Sequence, residues 1–251
     1  MQIGRDERRL NRMTLIIFCV FAGLLLFGAF EYAWVKWSGT PVPEPDTPRT
    51  LQTIGTGPER TYVVMGDSTA VSQGGEYKQG YAVQTAEHQA KNYTVRWKNV
   101  AVAGARAADV DTKQLPEAVE LMPDVVLIGV GANDVTHLTN IESVKQSLTH
   151  TIQELRNANS NVEIILTGSP DMGSVPRLPQ PLRWVAGNRT KNINKMIVSL
   201  AKEQEVRFAP IAERTGKLFR EHPELFASDK FHPNTEGYKT WTPVIIEALP
   251  Q

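Results

Sequence analysis

The sequence predicts a three-layer α/β/α domain with a mainly parallel sheet, preceded by one N-terminal transmembrane helix. Two observations carry this prediction. From Thr61 onward, short β-branched runs alternate with longer segments of helical period, a pattern that favours helices on both faces of a parallel sheet. Near the start of the chain, an unbroken apolar run is long enough to cross a bilayer.

Composition narrows the classes of function. The chain has 251 residues, 41% of them hydrophobic and 22% charged, which suits one globular domain with an appendage. Lys and Arg together number 27, as do Asp and Glu, and no basic stripe indicates nucleic acid. The single cysteine, Cys19, lies in the apolar run. The rest of the chain therefore has no thiol for a disulfide, an iron–sulfur cluster or a nucleophile.

The apolar run covers residues 13–30, "MTLIIFCVFAGLLLFGAF", and contains nothing more polar than Thr14 and Cys19. Tyr32, Trp34 and Trp37 follow it, as expected where a helix reaches the headgroups. Basic residues are concentrated before the run, at Arg5, Arg8, Arg9 and Arg12. The positive-inside rule therefore places residues 1–12 in the cytoplasm, a single-pass anchor at 13–37 and the remainder outside the cell membrane.

Two other interpretations of this run stay open. A cleaved signal peptide usually has a shorter apolar core and a small-x-small site, and Phe27, Glu31 and Tyr32 interrupt the alignments available here. The run also has the composition of a buried helix in a soluble domain. We expect an uncleaved anchor.

Residues 38–60 have prolines at 41, 43, 45, 48 and 58 and almost no apolar periodicity. This composition is typical of an extended, semi-rigid linker, which would hold the following domain, 61–251, clear of the lipid.

The domain itself shows an alternating pattern. Strands are predicted at 61–65, 95–102, 124–130, 162–168 and 206–211, with helices at 80–92, 107–121, 141–157 and 182–205 and a last helix from 235. The third helix has one apolar stripe, formed by Ile141, Val144, Leu148, Ile152 and Leu155.

Polar residues cluster where the predicted strands end. Ser68 follows the first strand, Gly104 the second and Asn133 the third, while Asp229 and His232 share a loop before the last helix. In parallel α/β sheets, ligands bind beyond the carboxyl ends of the strands. These five residues are therefore expected to surround one site.

The residue types at these positions match the needs of acyl transfer. A serine hydroxyl becomes nucleophilic when a base such as His232 accepts its proton, and Asp229, three residues earlier, is placed to orient the imidazole. The N–H groups of Ser68, at an expected helix start, and of Gly104, with the amide of Asn133, would stabilise an oxyanion. Gly66 allows the sharp turn before Ser68.

Simpler interpretations fit each segment taken alone. Asp67 and Ser68 are both favoured as helix caps, and "GAND" also fits a plain turn in which Asn133 and Asp134 bond their own backbone. "HPNTEGY" has the residues of a helix start, with Asn234 or Thr235 as the cap. Such capping is compatible with a catalytic His232.

Four segments together resemble the conserved blocks of the SGNH, or GDSL, hydrolase superfamily. They are "VVMGDSTA", "NVAVAGARAADV", "GVGANDV" and "DKFHPNTEGY", and the resemblance spans 61–248. It implies a flavodoxin-like serine esterase or lipase, with Ser68 as nucleophile, Gly104 and Asn133 completing the oxyanion hole, and Asp229 and His232 completing a triad.

Supporting roles are expected for four further residues, Gly66, Asp67, Asn99 and Asp134. The sequence departs from the commonest family pattern at Thr69, where leucine is frequent, and in "GARA" after Gly104. Neither change removes a reacting group, so the departures concern substrate contacts.

No cofactor or metal is expected. The remaining histidines, His88, His137, His150 and His222, have no second ligand type at metal-binding spacing. "GVGAND" has the wrong spacing for a dinucleotide fingerprint, and the chain has no Walker motif.

The expected function is a membrane-anchored, extracytoplasmic serine ester hydrolase that acts on lipid or glycan acyl esters. A carbohydrate or cell-wall O-acetylesterase is the alternative within this class, and a catalytically silent, membrane-anchored binding module is the alternative outside it. The proline-rich segment 169–184 and the glycine-rich segment 72–81 are candidate lips of the substrate cleft. The oligomeric state is left open.

Overall fold

The computed structural model describes residues 3–250. Met1, Gln2 and Gln251, which belong to the ends of the predicted cytoplasmic segment and C-terminal domain, lie outside the described residues. Helix α1 comprises Ile3–Trp37. Its portion Arg12–Trp37, 26 residues, is long and apolar enough to cross a membrane, and none of its most apolar stretch is buried in the protein. At about 1.5 Å per residue, this portion exceeds the ~30 Å of a bilayer's hydrocarbon core.

The sheet has six strands in the order β1-β3-β2-β4-β5-β6. All neighbouring pairs are parallel except the edge pair β1 and β3. The strands are β1 (Gln52–Ile54), β2 (Glu59–Gly66), β3 (Thr94–Asn99), β4 (Val125–Gly129), β5 (Glu163–Leu166) and β6 (Arg207–Phe208). The predicted mainly parallel sheet is confirmed.

The strand register aligns the carboxyl ends that precede the candidate loops. Val64 lies opposite both Asn99 of β3 and Leu127 of β4, and Gly66 lies opposite Gly129. All five residues of β4 are buried, because helices cover both faces of the central strands. Each fully buried Val, Leu or Ile in such a strand contributes roughly 1.5–3 kcal/mol.

Eight helices follow α1 in the described part of the chain. They are α2 (Tyr81–Gln89), α3 (Ala107–Asp109), α4 (Leu115–Glu120), α5 (Ala132–Thr136), α6 (Ile141–Ala158), α7 (Leu182–Glu203), α8 (Ile211–Glu221) and α9 (Thr235–Ile246). One packed group contains α2, α8 and α9, and another contains α3, α4, α5, α6 and α7. These groups form the two outer layers of the predicted sandwich.

Local chemistry explains where α6, an amphipathic helix of 18 residues, begins and which face it buries. The side chain of Asn140 accepts from the N–H groups of Glu142 and Ser143, which caps α6. Four of the five predicted stripe residues, Val144, Leu148, Ile152 and Leu155, are buried, while Ile141 is half-buried.

Four elements differ from the sequence prediction. The short helix α5, Ala132–Thr136, directly after β4 was not predicted. The predicted helix 107–121 is divided by a π-helical turn at Val110–Gln114. Helix α8 was not predicted, because only Ile211 and Phe219 are large apolar residues on its buried side. Strand β1 lies within the segment predicted as a linker: Ile54 pairs with Val95, so the sheet begins before residue 61.

Candidate active site

Ser68 lies in a tight turn directly after β2. Gly66, the last residue of that strand, has φ of +151°, and a Cβ there would collide with the carbonyl oxygen of Gly129. Only glycine fits this bend at low cost. The expected helix at Ser68 is absent: residues 67–75 form successive turns, and α2 begins at Tyr81. A helix dipole therefore does not act at the serine.

Gln114 fixes the bend from a distance of 48 residues in sequence. Its Oε1 accepts from the N–H of Gly66 and its Nε2 donates to the carbonyl oxygen of Gly66, both at 2.8 Å. The sequence did not predict a role for this residue, because a single glutamine in a helical segment carries no motif.

The structure brings Ser68, His232 and Asp229 into one hydrogen-bonded series. His232 Nε2 lies 2.9 Å from Ser68 Oγ, and His232 Nδ1 lies 2.6 Å from Asp229 Oδ2. Ser68 is 7% exposed and Asp229 3% exposed, so solvent has little access to either hydrogen bond. Such an arrangement allows a proton to pass from the hydroxyl to the imidazole while the carboxylate holds the ring.

Asp229 is also bound by its own loop. Its Oδ1 accepts from the N–H groups of Phe231 and His232 at 2.9 and 3.0 Å. Burial acts to raise the pKa of Asp229, but these backbone hydrogen bonds and the one to the His232 ring outweigh it and lower the pKa below its ordinary value. The carboxyl is therefore held as the anion that an imidazolium requires.

Aromatic and glycine contacts hold the histidine ring and its loop. The Phe231 ring packs edge-on to the His232 ring, with centroids 5.1 Å apart. Gly74 lies against His232 and Pro233, and its φ of +92° and lack of a Cβ permit this contact. From the sequence, Gly74 was expected only as part of a cleft lip, and no role was predicted for Phe231.

Each of the three predicted oxyanion donors has an N–H hydrogen that is available to a ligand. Within residues 3–250, the backbone N–H groups of Ser68 and Gly104 donate to no protein acceptor. Gly104 is exposed with φ of +80°. The Asn133 side-chain nitrogen donates to the carbonyl oxygen of Ala105 at 3.0 Å, which leaves its second hydrogen for a ligand.

The predicted supporting residues tie the loops together. Asn99 donates to the carbonyl oxygen of Ala70 at 2.8 Å and so joins the end of β3 to the Ser68 turn. Asp134 Oδ2 accepts from the N–H of Ala107 at 3.0 Å and joins the third block to the second. Asp67 Oδ1 accepts from both the N–H and the hydroxyl of Thr69, at 2.9 and 2.8 Å.

The free energy of unfolding is expected to depend on pH through Asp67. Burial raises the pKa of Asp67 from 3.8 to about 6, against the opposing effect of its Thr69 hydrogen bonds. The protonated carboxyl thus contributes stability that is full below pH 3.8 and lost as the pH rises through about 6. The shift corresponds to about 3 kcal/mol.

We expect Asp67→Asn to remove this dependence, because the amide keeps an oxygen acceptor for Thr69 and has no proton to lose. Between about pH 4 and pH 7, the free energy of unfolding of the variant should fall by about 3 kcal/mol less than that of the wild type. Chemical unfolding of the full chain in detergent, followed by tryptophan fluorescence, measures the difference. Parallel curves for the two proteins would refute the assignment.

Two cavities adjoin the Ser68–His232 pair. The smaller, about 20 Å³, is lined by Ser68 and His232 with Met172, Phe219, Phe226 and Trp241. The larger, a cleft of about 560 Å³, reaches His232 and Asn133 and runs beside Leu178 and Leu182. The candidate cleft segment 169–184 thus contributes to both, with Met172 and Val175 buried and Trp184 exposed.

Known proteins share this architecture. A sequence model of the GDSL-like lipase/acylhydrolase family matches residues 64–240. A GDSL-like esterase of Mycobacterium tuberculosis is 28% identical over 193 residues, which are 74% of this chain and 60% of that protein. The chain therefore spans about 60% of the length of this curated relative.

Solved structures agree on the fold. The phospholipase A1 of Streptomyces albidoflavus matches with a TM-score of 0.61 and 16% identity, over 76% of this chain and 99% of that one. The psychrotrophic esterase EstA of a Pseudoalteromonas species matches with a TM-score of 0.59 and 16% identity, over 75% and 96%. The family match covers more than half of the chain and includes Ser68, Gly104, Asn133, Asp229 and His232. The chain belongs to the GDSL-like lipase/acylhydrolase family, as its four sequence blocks predicted.

Proposed function

We propose that the chain is a serine ester hydrolase, anchored in the cell membrane by α1, which acts outside the cytoplasm through an acyl-enzyme. The observation that carries this proposal is the series of hydrogen bonds from Ser68 to His232 and from His232 to Asp229, 2.9 and 2.6 Å long. Membership in a family of lipases and acylhydrolases supports the same reaction class.

In the proposed first step, Ser68 Oγ attacks the ester carbonyl carbon while His232 Nε2 takes the hydroxyl proton. The carbonyl oxygen becomes an anion. The N–H groups of Ser68 and Gly104, unpaired in the described part of the chain, and the second amide hydrogen of Asn133 would stabilise it. One such donor contributes about 3–4 kcal/mol to lowering the barrier in comparable enzymes.

The intermediate then collapses. The bond from the carbonyl carbon to the alcohol oxygen breaks, and His232 gives its proton to the departing alcohol. Water next attacks the acyl group on Ser68, again with His232 as base, which releases the acid and restores the hydroxyl. Asp229 stabilises the imidazolium in both halves of the cycle and prevents the ring from rotating.

The proposed domain arrangement follows the sequence prediction: a cytoplasmic segment at 1–12, an anchor at 13–37, a linker at 38–60 and the catalytic domain at 61–251. The apolar, unburied stretch of α1 and the arginines that precede this stretch support this arrangement. The pairing of Ile54 with Val95 indicates that the catalytic domain also includes β1.

A membrane-impermeant fluorophosphonate, applied to intact cells, tests both the chemistry and the location. We expect the wild type to be labelled and Ser68→Ala to remain unlabelled, since the probe forms its bond with the activated hydroxyl. Ser143→Ala is the matched control, because Ser143 is exposed on α6, and it should be labelled like the wild type.

Three other outcomes contradict parts of the proposal. An adduct on Ser68→Ala would reject Ser68 as the nucleophile. Labelling that appears only after cell lysis would reject the extracytoplasmic location. Absence of any adduct on the wild type, before and after lysis, would favour the silent binding module.

A further inference from the structure

The end of α1 lies directly against the catalytic loops. Glu31 is only 6% exposed, and the carbonyl oxygen of Val35 accepts from Arg177 Nε at 2.7 Å. Just after the helix, the N–H of Thr40 donates to the carbonyl oxygen of Ser228 at 3.0 Å. A Cβ on Gly39 would collide with the carbonyl oxygen of Asp229. The chain therefore leaves the membrane-spanning helix at the loop that carries Asp229.

The segment after this point stays on the same side of the domain. Gln73, in the turn region after Ser68, donates through its side chain to the carbonyl oxygen of Val42 at 3.0 Å. Arg49 donates to the carbonyl oxygen of Ala101, beyond the end of β3, at 2.7 Å. Residues 38–50 thus follow the edge of the sheet where the site lies and contact the loops there.

The larger cleft joins the end of α1 to the site. Its lining includes Val35 of α1 and also Phe231 and His232 of the catalytic loop. Its volume of about 560 Å³ falls in the ~300–1,000 Å³ range of small-molecule sites. Its described lining is mainly apolar and contains no acidic residue, which suits an acyl chain.

The mouth of this cleft has an exposed apolar rim, which we define as Leu138, Leu182, Trp184 and Val185. Their exposed fractions are 63%, 39%, 66% and 37%. Apolar clusters of this kind mark a protein partner or a lipid surface. Lipid is favoured here because the rim adjoins the end of a membrane-spanning helix, where Trp34 and Trp37 are also exposed.

We propose that the cleft opens into the bilayer that holds α1, and that the substrate is an acyl-ester lipid of that same bilayer. The inference rests on the proposed hydrolase function and specifies its substrate class. The lipid reaches Ser68 along the cleft without dissolving in water. Ser68 Oγ bonds to the acyl carbon, the ester C–O bond breaks, the alcohol takes the proton from His232, and water then releases the fatty acid.

The test uses the full-length chain reconstituted into phosphatidylcholine vesicles. One substrate is a phosphatidylcholine with a self-quenched fluorophore on its acyl chain, placed in the same bilayer, and the other is p-nitrophenyl acetate in solution. We expect the wild type to hydrolyse both. The rate of lipid hydrolysis should depend on the mole fraction of the lipid in the bilayer and not on its bulk concentration.

Trp184→Ser separates contact with the bilayer from the chemistry, because Trp184 lies on the rim and does not line the cleft. We expect lipid hydrolysis to fall on the order of fivefold, with p-nitrophenyl acetate hydrolysis unchanged. Met122→Ser is the matched control. Met122 is 65% exposed but precedes β4, at the opposite edge of the sheet, so its replacement should change neither activity.

A second measurement is independent of activity. Brominated lipids in the bilayer should quench the emission of Trp184, obtained as the difference between the wild type and Trp184→Phe. Hydrolysis of p-nitrophenyl acetate without hydrolysis of the bilayer ester, or a Trp184 emission that brominated lipids leave unchanged, would overturn the inference while the hydrolase function stands. Failure to hydrolyse either ester, with no fluorophosphonate adduct on Ser68, would instead reject the hydrolase function.

Discussion

Ser68→Ala and His232→Gln are each expected to lower kcat for p-nitrophenyl acetate by roughly 10⁴–10⁶-fold, and the double variant by no more than either single one. The reason is the 2.9 Å hydrogen bond between Ser68 Oγ and His232 Nε2. Without the imidazole the hydroxyl keeps its proton, and without the hydroxyl the imidazole has no proton to accept. The two groups therefore act as one unit.

Steady-state kinetics on the four proteins of this cycle measures the effect. His222→Gln is the matched control, because His222 is half-exposed and its Nδ1 bonds to the exposed carboxylate of Glu224. It should retain the wild-type kcat. If the losses in the double variant multiplied, Ser68 and His232 would act in separate steps, and the proposed proton transfer between them would be wrong.

Much of the site was predictable because a parallel sheet converts positions in sequence into positions in space. Ser68, Gly104 and Asn133 each follow a strand, and the register that sets Gly66 beside Gly129 brings the ends of β2 and β4 level. The residue types then indicate the chemistry, because a serine, a histidine and a carboxylate at one site are typical of a catalytic triad. Asn99 and Asp134, which were expected to have supporting roles, form hydrogen bonds across the loops.

The turn at Ser68 shows where local sequence was insufficient. A small polar residue after a strand predicts a helix start, but here the side chain of Asp67 accepts from Thr69 two residues later, a bond that favours a turn. Gln114 then holds the strand end through a contact between distant residues. Because such contacts depend on the completed fold, no pattern within one segment reveals them.

The contacts of segment 38–50 could not be predicted for a related physical reason. Proline-rich composition predicts an extended chain, and this prediction says nothing about what the extended chain touches. The contacts of Thr40 with Ser228 and of Arg49 with Ala101 use backbone carbonyl groups, which every residue carries. The sequence therefore contains no signal for them.

Asp229→Asn should lower kcat by about 10⁴-fold while leaving the fold and KM nearly unchanged. In the wild type, Asp229 Oδ1 accepts from two backbone N–H groups, of Phe231 and His232, and Oδ2 meets His232 Nδ1 at 2.6 Å. Asparagine has a single side-chain oxygen. The two backbone donors hold that oxygen in place, so the amide NH₂ group faces Nδ1.

Two donors cannot share a hydrogen bond, so the imidazole in the variant adopts the tautomer with its hydrogen on Nε2. That nitrogen faces Ser68 Oγ as a donor and has no lone pair to take the hydroxyl proton. A neutral amide also leaves the imidazolium of the intermediate without its counter-charge in a site where residue 229 is only 3% exposed.

Two measurements distinguish this mechanism from damage to the loop. The midpoint temperature of thermal unfolding of Asp229→Asn should lie close to that of the wild type, since both backbone hydrogen bonds to residue 229 are kept. Nitrogen-15 spectra of the histidine ring should show the hydrogen moved from Nδ1 to Nε2. A variant with the wild-type tautomer and a kcat within about tenfold of the wild type would show that Asp229 does not orient the base, because a 10⁴-fold loss is the signature of the wrong tautomer.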